Sequence, residues 1–223
     1  MEEEDKMIIG IDEAGRGPVA GPLVLAAIGA TEEELVLIEK LPLKDSKLMT
    51  PKQRAEMLEE IQNITNNFFY AIVPASEIDD KRKIMSLNEL EAMKTAELIE
   101  KFSGITKIII DLPDPNAEMY KRRISKYTCI DKLNIIAEHK ADMNYKICSA
   151  ASVLAKEKRD ELVKEIEQKN GIILGSGYPH DERTIKTLEE YAMKKEKPNF
   201  VRYSWETARR IWDKINQKKL FDF

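Results

Sequence analysis

The chain has 223 residues with a formal charge of −4, 43% hydrophobic and 34% charged residues. That profile excludes a disordered chain and is long enough to bury a core without covalent staples. The most apolar stretch, Val19 to Ala30, contains Pro22 and is too short to span a bilayer.

The acidic opening Met-Glu-Glu-Glu-Asp-Lys lacks the basic start and apolar run of a secretory signal. With Cys129 and Cys148 as its only thiols, the chain has no disulfide framework, and a reducing cytoplasm suits it. Charge is uneven: Arg183 to Lys219 holds eleven Lys or Arg against five Asp or Glu. A basic tail of this kind can suit a polyanion, although a solvated face is the simpler explanation of this signal alone.

Met7–Ile11 reads as a buried strand running onto Asp12-Glu13. Ala14–Pro18 reads as a turn, and Val19–Ala30 as a second strand forming a hairpin-like pair with the first. Thr50-Pro51-Lys52-Gln53 is a capping box with proline at the first helical position, opening a helix with Leu58, Ile61 and Ile64 inward. Phe68–Val73 predicts a strand stopped by Pro74. Ser86 with Glu89 opens a helix carrying Leu87, Leu90, Met93 and Phe102, which ends near Ser103-Gly104.

Ile105–Ile110 is a β-branched run ending at Asp111 and broken by Pro113 and Pro115. Leu133–Ala137 is a further strand, followed by His139-Lys140-Ala141-Asp142. From about Tyr145 to Glu167 the period is helical, and Asn170-Gly171 closes it. Gly175–Pro179 is a loop. The polar, helical remainder breaks at Lys197-Pro198. Strands alternating with helices after a hairpin predict a mixed α/β sheet flanked by helices.

Asp12, Glu13, Asp111 and Asp142 lie at or just beyond strand ends, where open α/β sheets bind ligands. A carboxylate ending an apolar strand is costly unless solvated, paired or metal-bound. Four together repel one another, and divalent metal resolves the conflict. Two ions about 4 Å apart can clamp the attacking and leaving oxygens of a phosphodiester. Taken singly, each acid serves equally well as a turn cap.

Gly15, Gly17 and Ala20 fit the G-x-G-x-x-A dinucleotide pattern. That pattern needs the glycines to open a helix, whereas Pro18, Val19 and Pro22 lead into extended chain. Such glycines also allow close backbone approach to a sugar or phosphate, with Arg16 beside it. Lys44 and Ser46 can donate to phosphate, or lie in an ordinary polar loop. Tyr178, set among Gly, Ser and Pro, can stack on a sugar or base. His139, His180, Cys129 and Cys148 lack zinc spacing. Ser149, Ala150, Ala151 and Ser152 read as close helix–sheet packing.

Gly10-Ile11-Asp12-Glu13-Ala14-Gly15-Arg16-Gly17-Pro18 resembles the opening signature of ribonuclease HII. Lys44-Asp45-Ser46-Lys47, Ile110-Asp111, His139-Lys140-Ala141-Asp142 and Gly175-Ser176-Gly177-Tyr178-Pro179 follow in that family's order, and Arg202-Tyr203-Ser204-Trp205 resembles its archaeal branch. The resemblance implies a ribonuclease H-like catalytic domain over 1–190 with a mixed five-stranded sheet, and a helical substrate-binding appendage over 191–223. It implies an endonuclease that hydrolyses RNA in RNA–DNA hybrids and cuts 5′ to ribonucleotides embedded in duplex DNA. Asp12, Glu13, Asp111 and Asp142 become the catalytic ligands of two Mg²⁺ or Mn²⁺ ions. Gly15, Arg16 and Gly17 would read the 2′-hydroxyl, Lys44 and Ser46 would contact phosphates, and Tyr178 would stack on the sugar of the next, deoxy nucleotide. The implied protein is a cytoplasmic monomer without membrane contact, and no clear motif marks a sliding-clamp contact. A junction-cutting DNA nuclease, a non-catalytic nucleic-acid-binding subunit and a nicotinamide-dependent oxidoreductase are the competing expectations.

Overall fold

The computed structural model describes residues 6–43, 49–130 and 133–217. Five strands form one mixed sheet: β1 (Met7–Ala14), β2 (Leu23–Ala30), β3 (Phe68–Val73), β4 (Ile105–Asp111) and β5 (Ile135–Glu138), in the order β3-β2-β1-β4-β5. β1 runs antiparallel to β2 and parallel to β4, and β4 parallel to β5. β2 is buried throughout, and β1 and β4 are buried along their central residues, where their sequences are apolar.

The helices are α1 (Glu32–Lys40), α2 (Pro51–Ile64), α3 (Ala75–Lys81), α4 (Leu87–Ile99), α5 (Ala117–Ile124), α6 (Ala141–Asn144), α7 (Lys146–Asn170), α8 (Glu182–Lys194) and α9 (Glu206–Gln217). α2 starts on the expected box: Thr50 Oγ1 accepts from Gln53 N–H at 3.3 Å, and Gln53 Oε1 accepts from Thr50 N–H at 2.9 Å. The same device at Thr31 and Glu34 opens α1, a helix the sequence reading passed over. α4 stops at Ile99, so Phe102 lies beyond it, buried by the sheet rather than by its own helix. Its ring lies edge-on to Phe69 at 5.1 Å. Among the described residues no helix is long and apolar enough to cross a membrane.

The chain divides into two compact units. The first comprises Met1–Ala14, Val24–Ala71 and Leu87–Lys158, and holds most of the sheet. Its core joins Ala26, Ile28 and Ile109 to Ile147, Cys148, Ala151 and Leu154 of α7. The small residues of α7 act as the sequence suggests, letting the helix lie close to the strands. Gly10 completes that approach, because a Cβ there would stand 2.5 Å from Ile147 O and 2.6 Å from Ile147 C. Gly10→Ala must therefore move backbone, and a loss of about 2–3 kcal/mol is expected in chemical denaturation. An unchanged midpoint would contradict this packing.

The second unit comprises Gly15–Leu23, Ile72–Ser86 and Arg159–Phe223. It takes in the 191–223 segment together with α8, the end of α7 and the Gly15–Leu23 connection. Val19, Ala20, Val163, Leu174, Leu188, Phe200, Val201 and Ala208 form its core. Residues Val19 to Pro22 are not strand: Ala20 makes an isolated bridge to Val201, and β2 begins only at Leu23.

Candidate active site

The first unit gathers the acids. Register pairs Ile11 of β1 with Ile110 of β4, so the next residues, Asp12 and Asp111, leave the parallel pair side by side. Asp142 follows β5, in the single turn of α6. Lys140 enters that turn with φ +61°, a left-handed conformation unusual for a side chain with Cβ. Asp111 Oδ1 then accepts from Ala141 N–H at 2.9 Å, tying the β4 acid to the residue before Asp142. His139 Nδ1 lies 3.1 Å from Leu112 O and secures the preceding turn.

Asp12 and Asp142 are buried, whereas Asp111 and Glu13 are half-buried. Burial is the main reason the Asp12 carboxyl is pushed up to about 7, and the charges of Asp111 and Asp142 push the same way. A hydrogen bond from Ser152 and the Glu13 N–H, 2.7 Å from Asp12 Oδ1, oppose the shift. Glu13 follows on the opposite side of the pleat and is linked to the group through that N–H. Ser149 Oγ–H donates to Asp142 O, fastening α7 to the acid turn. Ser149 and Ser152 therefore reach into the site, which packing alone did not suggest. Their spacing on a helix that starts just past an acid was the available signal.

Behind the acids Cys148 is fully buried, with Sγ–H donating to Ile109 O at 3.2 Å. Burial and the nearby carboxylates push its thiol far above the usual range.

The donor set fits a hard divalent cation, since every candidate ligand atom is a carboxylate oxygen. Among the described residues no three acids, histidines or cysteines form a ready-made metal cage.

The second unit carries the other candidates. Gly15 is buried with φ +93°, a conformation that favours glycine. Arg202, fully buried, donates from Nη2 to Gly15 O at 2.6 Å, from Nη1 to Arg16 O at 3.1 Å and from Nε to Gly21 O at 3.1 Å. Gly17 is exposed, and a Cβ on it would lie 3.3 Å from the Tyr178 ring. The turn and the tyrosine ring therefore stand together. Lys44 and Ser46 lie outside the described residues.

A five-stranded mixed α/β sheet with carboxylates at the ends of its central parallel strands is a frame compatible with a metal-dependent nuclease. The ribonuclease HII family profile matches residues 9–208. The ribonuclease HII of Methanocella arvoryzae is 42% identical over 219 residues, covering 97% of this chain and 96% of that protein. The crystal structure of ribonuclease H2 from Pyrococcus horikoshii OT3 superposes with a TM-score of 0.86 at 38% identity, covering 95% of this chain and 99% of that one. The Archaeoglobus fulgidus ribonuclease HII, solved with PCNA, superposes with a TM-score of 0.77 at 34% identity, covering 90% of this chain and 95% of that one. The chain belongs to the ribonuclease HII family and is a ribonuclease H, a metal-dependent endonuclease.

Proposed function

We propose that this enzyme hydrolyses the RNA strand of RNA–DNA hybrids and cuts duplex DNA on the 5′ side of an embedded ribonucleotide. The observation that carries the reading is the meeting of Asp12, Asp111 and Asp142, from three distant stretches, at a cost that holds the Asp12 carboxyl near neutrality. Asp12, Glu13, Asp111 and Asp142 would hold two Mg²⁺ or Mn²⁺ ions, which supply Lewis acidity at the scissile phosphate. The protein's own part is to orient these oxygens. Ser152 fixes Asp12, the Ala141 N–H fixes Asp111, and Ser149 fixes the Asp142 turn.

Water attacks in line at the phosphate, the bond to the 3′ oxygen breaks, and the ends are a 3′-hydroxyl and a 5′-phosphate. No side chain acts as nucleophile. The backbone of Gly15, Arg16 and Gly17, beginning two residues after Glu13 in the chain, reads the 2′-hydroxyl that separates RNA from DNA. Tyr178 stacks on the next, deoxy sugar. Lys44 and Ser46 contact phosphates, and the basic 191–223 appendage holds duplex. The protein works as a cytoplasmic monomer, and the Archaeoglobus complex makes a sliding clamp a candidate partner.

Incubation with duplex DNA carrying one ribonucleotide, with and without Mg²⁺, tests the reading. A single cut 5′ to the ribonucleotide is expected, only with metal, leaving a 5′-phosphate. A 2′,3′-cyclic phosphate, or equal cutting in a chelator, would sink it.

A further inference from the structure

Arg159, which opens the last segment of the second unit, is 1% exposed and among the largest side chains fully enclosed by the fold. Among the described residues its ion pairing is weak, Nη1 lying 3.9 Å from Asp160 Oδ1. Nη2 donates to Ser176 O at 3.0 Å, and Nε has no partner. An arginine so enclosed and so incompletely paired costs stability, and an apolar side chain of similar length would cost less.

Its surroundings show what the guanidinium does instead. On one side it fills the place of a side chain at Gly15, where a Cβ would meet Arg159 Cδ at 2.6 Å. On another it underlies Gly177, whose φ is +78° and whose absent Cβ would lie 3.1 Å from Arg159 Nη2. Its carbon Cζ stands 5.8 Å from the centre of the Tyr178 ring, within cation–π range. The Ser176 carbonyl that it holds is two residues before that ring. Arg202 holds the carbonyls of Gly15, Arg16 and Gly21, and Arg159 donates to none of these three. What Arg159 adds is a link between the turn and the tyrosine loop.

We propose that Arg159 is a positioning residue that sets the Tyr178 ring against the Gly15–Gly17 turn and so governs how strictly the enzyme requires a ribose followed by a deoxyribose. The inference rests on the roles given above to the turn and to Tyr178. The step is one of geometry alone: a delocalised planar cation supports a ring face, and a methionine or a lysine in its place cannot also hold the Ser176 carbonyl in the same plane.

The test compares kcat/KM on a duplex with a single ribonucleotide against kcat/KM on a continuous RNA–DNA hybrid. Wild type, Arg159→Lys, Arg159→Met, Tyr178→Ala and the Arg159→Met/Tyr178→Ala double variant are measured, with Tm for each. Both Arg159 variants are expected to lose about tenfold on the single-ribonucleotide duplex, the scale of one lost aromatic stack. On the hybrid they should stay within about twofold, with Arg159→Met at least as stable as wild type. The double variant should discriminate no worse than Tyr178→Ala, since both act through one ring. Arg159 variants that discriminate like wild type while Tyr178→Ala does not, or that lose both substrates equally, overturn the inference and leave the reading of Tyr178 standing. Full discrimination in Tyr178→Ala removes that reading and the inference with it. Should Arg159→Met fail to fold, Arg159→Lys decides by the same ratio.

Discussion

Asp12→Asn is expected to abolish cleavage and at the same time strengthen the metal-free fold at neutral pH. On the proposed two-ion reading the loss of activity should be on the order of 10³-fold or more, because this carboxylate feels the charges of both Asp111 and Asp142. The gain in stability follows from linkage. In the folded chain the Asp12 carboxyl titrates at about 7, well above the usual aspartate value near 3.9 of the unfolded chain. The folded state therefore holds a proton that the unfolded state releases. This stabilisation is complete below pH ~4 and is lost as pH rises through about 7, a change on the order of 4 kcal/mol. Asparagine carries no charge at any pH and should flatten that slope. Thermal unfolding in a chelator at pH 5 and pH 8 reads the difference. Mg²⁺ should raise the Tm of the wild type at pH 8 more than that of the variant. A variant with the wild-type pH slope would show that the buried charge lies elsewhere.

Arg202→Ala is the second large effect, and it falls on folding. Removing the side chain strips partners from the carbonyls of Gly15, Arg16 and Gly21. It also takes the guanidinium from the face of Trp205, 4.9 Å away. Buried carbonyls left unpaired cost about 1–3 kcal/mol each, partly recovered by water, so a net loss of about 4 kcal/mol is expected. For a chain of this length that lowers Tm by roughly 10 °C. Arg202→Lys should recover only part, because an ammonium cannot serve three carbonyls from one plane. Differential scanning calorimetry of the three proteins decides. A Tm within 2 °C of wild type for Arg202→Ala would mean that the turn is held by other contacts.

The parts of the fold legible in the sequence are those whose causes are local. Thr50, Pro51 and Gln53 specify a helix start within four residues, and β4 is written as an uninterrupted β-branched run. Asp12 and Asp111 stood out in the sequence as candidates because a carboxylate that ends an apolar strand is costly unless it is solvated, paired or metal-bound. α5 was hidden: Pro113 and Pro115 drew the eye to a break, while the Asn116 cap that follows them, accepting from Met119 N–H at 2.9 Å, starts a helix. Val19–Pro22 looked like strand because it is apolar, yet its partners are Val201 and Gly177, far along the chain. Arg159 was illegible for the same reason, and Arg202, though part of a motif, gave no sign of its burial. An arginine in a polar stretch reads as surface, and only long-range packing turns it inward.

The burial of Cys148 has a practical consequence. Its thiol, held against Ile109 O and kept protonated by its neighbours, offers no thiolate to an electrophile, whereas Cys129 is exposed. The chain is thus singly addressable in its native form. A fluorophore or spin label attached by maleimide chemistry goes to one known position, without a cysteine having to be removed first.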